Sequence, residues 1–276
     1  IKIQKCNKNL RGTSISFIPD KEIFENIIFS PKKLYSFIKM KAVLVKGTKI
    51  SFSIDKELIS DKTPFKEEFI YPKGIIDYMN ENYLNRKKAI SKDFHTNLDI
   101  NSKERCEVYI SFNNSDHSSI LSFCNTIQTP DGGSHENSLK NSIIKSLKLF
   151  GQKNQLTKSA NIIASDLFDY VDSFISIFIT SPSFEGQTKK RIAMPKLQKK
   201  LEELLQNQFI LWLNSNKKES IKLIEILIER SLLRTDITKF KELERKTVKE
   251  KNRLPGKLVD CSNKNVQGTE LFIVEG

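Results

Sequence analysis

The sequence predicts an α+β fold, an α/β sandwich in which one sheet is covered by helices. Three observations carry that expectation. Apolar residues alternate with polar ones in several short runs, as strands require. Apolar residues at three- and four-residue spacing mark helices between those runs, and two long helical patterns come last. A content of 38% hydrophobic residues, with 18 Phe in 276 residues, supplies a core for the helices to cover.

The elements follow in order. Gly12 to Ile18 alternates and is expected as a strand, closed by Pro19-Asp20. Pro31 opens a short helix with Leu34, Phe37 and Ile38 on one face. Ala42 to Val45 leads into Gly47-Thr48, after which Ile50, Phe52 and Ile54 alternate as a strand. Gly74 to Leu84 carries Ile75, Ile76, Met79 and Tyr83 at helical spacing. Residues 85–104 are polar and patternless, so an exposed connection is expected there. Val108, Ile110 and Phe112 alternate, and Ser119 to Ile127 supplies a further strand. The Asn113-Asn114-Ser115-Asp116 segment between them is good turn chemistry, and a β-hairpin is the expectation.

Thr-Pro-Asp-Gly-Gly-Ser-His-Glu at 129–136 follows. Tandem glycines open backbone conformations closed to other residues, and Ser134 can cap the next helix. The turn reading of this segment outweighs the other one, an anion site at a helix N-terminus. Leu139, Ile143, Leu147 and Phe150 define that helix, ending at Gly151. Ser165-Asp166 can cap a short helical turn, and Ile175, Ile177 and Ile179 line one face of a strand. From Pro195 a helix carries Leu197, Leu201, Leu204, Leu205, Phe209, Ile210 and Leu213, with Trp212 as a core residue. A second helix starts at about Glu219, with Leu223, Ile224, Leu227, Ile228 and Leu232 as its apolar positions. Beyond Phe240 the apolar face fades, the mark of a solvated connector between domains. Leu254-Pro255-Gly256 breaks the helix, and Leu271 to Val274 reads as a final strand.

Composition narrows the function classes. A net charge of +13 invites a nucleic-acid partner. The Lys, Asn, Ile and Ser bias of an AT-rich genome produces the same charge without a ligand, and both readings stand. No apolar run approaches the roughly 18–20 residues that a membrane-spanning helix needs. Cys6, Cys106, Cys124 and Cys261 form no CxxC pair, and His95, His117 and His135 are scattered. Neither a disulfide framework nor structural zinc is expected, in keeping with a reducing cytoplasm. The chain begins at Ile1 inside a polar segment and stops in a strand pattern, and it is expected to be a piece of something longer.

Ser183-Phe184-Glu185-Gly186-Gln187-Thr188-Lys189-Lys190 joins a buried strand to a long helix. Lys supplies a point charge and Gln supplies orientable donors, a pairing that suits phosphate oxygens. Taken alone, the stretch reads first as a solvated basic turn, and that reading outweighs the phosphate one.

Motifs in sequence order carry a family resemblance. They are Arg-Gly-Thr-Ser-Ile-Ser-Phe-Ile-Pro-Asp at 11–20, Thr-Pro-Asp-Gly-Gly-Ser-His at 129–135 and Phe-Glu-Gly-Gln-Thr-Lys at 184–189. Arg-Leu-Pro-Gly-Lys-Leu-Val-Asp-Cys-Ser at 253–262 and Thr-Glu-Leu-Phe-Ile-Val-Glu-Gly at 269–276 complete them. Together they resemble the B subunits of type IIA DNA topoisomerases. Ile-Leu-Trp-Leu-Asn at 210–214 and the last eight residues look more like the topoisomerase IV branch than the gyrase branch.

The resemblance implies a division of the chain. Residues 1–20 would be the tail of a GHKL ATPase domain. Residues 21–250 would be a transducer resembling the second domain of ribosomal protein S5, and 251–276 a linker and the first strand of a Toprim domain. It also implies roles for particular residues. Gln187 and Lys189 would touch the γ-phosphate of ATP, and Thr13 would lie near adenine. Glu275 would be the first acidic residue of the catalytic Mg²⁺ site. The cofactors would be ATP and Mg²⁺, both needing parts of the protein outside this sequence. The partners would be DNA, the topoisomerase IV A subunit in a heterotetramer of two A and two B subunits, and a second B subunit in an ATP-dependent dimer. No membrane is implied; the place would be the bacterial cytoplasm, at the nucleoid. The expected function is to relay ATP binding and hydrolysis to DNA strand passage, decatenation and relaxation, with this chain alone inactive.

The rival readings are a gyrase B subunit with negative supercoiling, a mismatch-repair GHKL ATPase, and an RNA-binding module of the S5-like fold. Pro-Gly-Lys-Leu followed by a Toprim strand argues against the mismatch-repair class.

Overall fold

The computed structural model describes residues 13–251 except 60, 84 and 115–117, and of 240–251 it describes the backbone only. The chain divides into two compact units, Ile1–Glu81 and Asn82–Gly276.

In the first unit, α1 (Pro31–Leu44) starts at Pro31, whose fixed φ suits a first helical position, and buries Ala42, Val43 and Leu44 at its end. It is longer than the sequence pattern indicates, and Phe37 is exposed rather than on a buried face. Strands β1 (Ile50–Ser53) and β2 (Lys66–Phe69) pair antiparallel, with Ile50 opposite Phe69. Tyr35 of α1 packs edge-on against Phe52 and Phe69 and donates its hydroxyl to Glu67 Oε2 at 2.7 Å. Helix α2 (Ile75–Tyr83) buries Ile75 and Met79.

The expected strand over 12–18 is not formed among its described residues. Residues 13–18 have no regular structure, and Ile15, Phe17 and Ile18 are exposed. Alternation makes a strand only where a neighbouring strand completes its hydrogen bonds, and no described strand lies beside it.

The second unit holds a five-stranded sheet in the order β3-β4-β7-β5-β6. Its strands are β3 (Phe94–Asn101), β4 (Glu104–Phe112), β5 (Ser119–Cys124), β6 (Ile127–Gln128) and β7 (Val171–Phe178). Helices α3 (Ser134–Lys153) and α4 (Ala164–Phe168) lie between β6 and β7 in sequence, and α5 (Pro195–Ser215) and α6 (Lys217–Lys251) follow. Val171, Ile175 and Ile177 of β7 enter a core shared with Leu139, Ile143 and Leu147 of α3 and Leu201, Leu205 and Phe209 of α5. These are the alternate residues of a strand meeting the apolar stripes of two helices.

Two expectations are corrected here. Residues 85–104 are not an exposed connection, because they contain β3, which buries Phe94, Thr96, Leu98 and Ile100 in strict alternation. Thr96 is polar and interrupts the apolar count, so the strand is hidden in sequence. Nor do β4 and β5 form a hairpin. β7 inserts between them, antiparallel to β4 and parallel to β5. The hairpins are β3–β4 and β5–β6. Asn113 does not make a tight turn; its amide is buried and donates to Asp172 Oδ2 at 2.6 Å.

α3 and α5 run parallel in a fixed register. Ser134 Oγ accepts from Met194 N at 2.7 Å, Ser138 Oγ donates to Gln198 O at 3.0 Å, and Ser146 Oγ donates to Gln206 O at 3.5 Å. Each pair is separated by the same sequence offset, so the two helices advance together. The small serines let the backbones come close, and each hydroxyl is satisfied by a carbonyl or amide. At the end of α5, Trp212 stacks on Phe112 and Phe209 and donates Nε1 to Asp93 O at 3.2 Å. Trp212 is therefore half-buried against the core rather than inside it, with its N–H placed.

Candidate functional site: the Gln187–Lys189 loop

The loop lies between the end of β7 and the start of α5, and main-chain bonds fix it. Asn125 has left-handed φ in the β5–β6 turn. Its side-chain amide pairs with both Ile179 N (2.9 Å) and Ile179 O (2.8 Å). Thr180 N donates to Glu104 Oε1 at 3.0 Å, and this amide holds the Glu104 carboxyl below the usual carboxylate range. Further along, Ala193 N donates to Ser183 O at 3.0 Å and Glu185 N to Arg191 O at 2.9 Å, so the two arms of the loop face each other. Arg191 bridges the arms' flank, with Nε 3.2 Å from Glu185 Oε2 and Nη1 3.2 Å from Asp131 O.

The glycine turn before α3 forms the floor. Gly133 adopts φ 123° and ψ −157°, a region reserved for glycine. A Cβ there would strike the backbone carbonyl of Ile192. Ser134 N donates to Ile192 O at 2.9 Å, and Ile192 N donates to Gly132 O at 3.2 Å. Ser134 is the first residue of α3 rather than its cap, and its hydroxyl holds the start of α5 instead. Beneath the turn, His135 is fully buried, with Nε2 3.2 Å from Thr129 Oγ1 and no partner for Nδ1 among the described residues. Burial pushes the imidazole pKa down to about 4, so it is neutral at pH 7.

On this fixed frame the tip, Gly186 to Lys189, turns back on itself. Gly186 has φ 76° and Lys189 has φ 54°, both left-handed. For Lys this is an uncommon conformation, and Lys189 N closes the turn on Gly186 O at 3.5 Å. The side chains of Gln187 and Lys189 are exposed and have no hydrogen-bond or ionic partner among the described residues. The two residues expected to bind phosphate therefore share one tip. Thr13 is exposed and belongs to the first unit, and Glu275 lies outside the described residues. The expected Mg²⁺ site therefore also lies outside them. No group of three His, Cys, Asp or Glu side chains able to hold a metal ion occurs among the described residues.

The residues that sequence reasoning missed are those that hold the loop: Asn125, Glu104, Ser134 and Arg191. Only the pairing of Glu185 with Arg191 across a glycine turn had a local signal. The others act across long sequence separations.

Residues 73–243 match the family model described as DNA gyrase B. The DNA topoisomerase 4 B subunit of Rickettsia conorii is 38% identical over 276 residues, covering 99% of this chain and 42% of that protein. The chain thus spans 42% of the length of this curated relative. Among solved structures, the topoisomerase IV ATP-binding domain of Francisella tularensis, in complex with a small-molecule inhibitor, aligns with a TM-score of 0.64 and 26% identity. That alignment covers 79% of this chain and 57% of the other. The ATPase domain of Thermus thermophilus gyrase B, in complex with an aminocoumarin, shares the fold at a TM-score of 0.63 and 23% identity, over 82% of this chain and 59% of the other. A family model spanning most of the chain, on a fold shared with these structures, leaves one conclusion: the chain belongs to the DNA gyrase B family.

Proposed function

We propose that this chain is the transducer segment of a topoisomerase IV B subunit, and that the Gln187–Lys189 tip reads the γ-phosphate of ATP. The observation that carries the reading is a free cation and a free amide on a tip whose backbone is fixed from both sides. Lys189 brings a charge to a phosphate oxygen and Gln187 brings directional N–H donors. Because the γ-phosphate leaves on hydrolysis, contacts made only to it distinguish ATP from ADP.

In this reading Thr13 lines the adenine pocket, residues 1–20 end a GHKL domain, 21–250 form the transducer, and 251–276 begin a Toprim domain. Glu275 there would join an Mg²⁺ site for DNA cleavage. The whole B subunit works with DNA, with the topoisomerase IV A subunit and with a second B subunit, in the bacterial cytoplasm. The 38% identity to a topoisomerase 4 B subunit supports this branch over gyrase. Among the described residues no helix is long and apolar enough to cross a membrane.

The test uses the full-length B subunit. Gln187→Ala and Lys189→Ala are expected to weaken binding of a non-hydrolysable ATP analogue by about 10- to 100-fold each, the worth of a charge-assisted hydrogen bond. ADP affinity stays unchanged. Equal losses for ATP analogue and ADP would refute a γ-phosphate role. Reconstituted with its A subunit, the enzyme is expected to decatenate DNA in preference to introducing negative supercoils; the opposite preference assigns it to gyrase. The 276-residue chain by itself is expected to have no ATP turnover.

A further inference from the structure

β7 is the middle strand of the sheet, and its C-terminal end opens into the Gln187–Lys189 loop. Its N-terminal end is gripped by α6. Arg234 Nε donates to Asp166 Oδ1 at 2.8 Å, and Nη2 donates to Asp166 Oδ2 at 3.3 Å and Asn161 O at 3.1 Å. Asp166 is buried on α4, just before β7 begins. Four residues earlier, on the same face of α6, the Arg230 guanidinium lies 3.7 Å from the Tyr170 ring centroid. Arg230 also donates to Asn113 O at 3.3 Å and to Asp166 O at 3.4 Å. Asn113, which follows β4, in turn donates its N–H to Tyr170 O at 3.0 Å and its amide to Asp172 of β7 at 2.6 Å. Two guanidinium groups thus hold α4, Tyr170 and the end of β4, which together form the foot of β7.

The loop reaches α6 by two routes. One runs down β7 to this clamp. The other runs along α5 to Asn216, a single non-helical residue with φ −118° and ψ 42° that joins α5 to α6. Leu223, Ile224 and Leu227 fix the first part of α6 in the core. The clamp extends that grip to Arg234, closing a frame of loop, β7, α6 and α5. A helix held at two separated places cannot swing about Asn216 as a hinge.

We propose that Arg230 and Arg234 are positioning residues that make α6 move as one body with the Gln187–Lys189 loop, so that a nucleotide-driven shift of the loop is delivered along α6. This rests on the reading of the loop as a nucleotide sensor. The clamp needs guanidinium groups, since a planar fork binds Asp166 side-on and stacks on Tyr170, and an ammonium does neither.

The experiment compares ATP turnover with DNA strand passage in the full-length B subunit reconstituted with its A subunit. In Arg230→Ala/Arg234→Ala, ATP turnover is expected to stay within about twofold while strand passage per ATP falls about tenfold. Arg230→Lys/Arg234→Lys keeps the charge, threatens folding less, and is expected to fall in the same direction. Unchanged passage per ATP in both variants overturns the proposal, as does a proportional loss of both activities. Hydrogen exchange on the 276-residue chain separates the clamp from the sensor reading. Amides of 228–238 are expected to exchange faster in the double Lys variant while α3 keeps its protection, and unchanged exchange overturns the clamp. Should the unaltered full-length B subunit with its A subunit turn over no ATP, the sensor reading fails and the exchange result still decides the clamp.

Discussion

The two ends of β7 are built on opposite principles. At its C-terminal end the backbone is tied and the side chains of Gln187 and Lys189 are left free, through bonds from Asn125, Gly132, Ser134 and Ile192. At its N-terminal end the charges are spent on one another. Asp172 is fully buried between Arg86 and Asn113, and Asp166 is buried under Arg234. A charge that must meet a ligand stays unpaired in water, where desolvation costs nothing, and its aim is fixed through the main chain. A charge that only holds structure can be buried, provided each has a partner.

That contrast can be broken in order of expected effect. Gly133→Ala puts a Cβ against the Ile192 carbonyl and forces a glycine-only backbone region, for a loss of about 4 kcal/mol in urea unfolding. A loss under about 1 kcal/mol would show that the floor of the loop yields, and that main-chain fixing is not what aims Lys189.

Acid is the next lever, and it separates the ends by sign. The His135 pKa is lowered to about 4 by burial, so the unfolded chain takes up a proton near pH 6.5 and the folded one resists. Its contribution is whole above pH 6.5 and is lost as pH falls through about 4, for about 3 kcal/mol. Glu104, also at the loop end, has its pKa lowered by the Thr180 amide and adds a loss in the same direction at lower pH. Asp172 at the foot has its pKa raised by burial, so protonation costs the fold nothing there. Hydrogen exchange from pH 7 to pH 4 is expected to loosen the loop end first, and His135→Gln to remove the part of the fall above pH 4.

Arg234→Ala is expected to cost about 2 kcal/mol in thermal or urea unfolding. It strands the buried Asp166 carboxylate, but water reaches the half-exposed side of the pair, so the loss is below that of a fully buried ion pair. Gln187→Ala is expected to change stability by less than about 0.5 kcal/mol, because its side chain touches nothing that the fold needs. A comparable loss from both substitutions would erase the difference between the ends.

Sequence reading recovered the elements whose signals are local. Pro31 and Pro195 each open the helix expected of them, and Ile175 and Ile177 lie in the core strand. It missed elements whose evidence is a partner elsewhere in the chain. β2 is Lys-Glu-Glu-Phe and is a strand only because β1 pairs with it. Thr96 masks the alternation of β3, and the turn residues after β4 gave no sign that β7 would enter between β4 and β5. The same holds at the site. Gln187 and Lys189 carry their chemistry in their side chains and were legible. Asn125 falls within Ser119 to Ile127, which reads in sequence as one strand, and Ser134 reads as a helix cap; both work through hydrogen bonds across more than fifty residues, to Ile179 and to Met194.

In the proposed function, Lys189 is free because it awaits a phosphate. The most direct measurement is ATP turnover by the full-length B subunit carrying Lys189→Ala, alongside its melting temperature. Turnover is expected to fall by at least about tenfold, with melting unchanged within about a degree. Wild-type turnover in a variant that melts normally would contradict it.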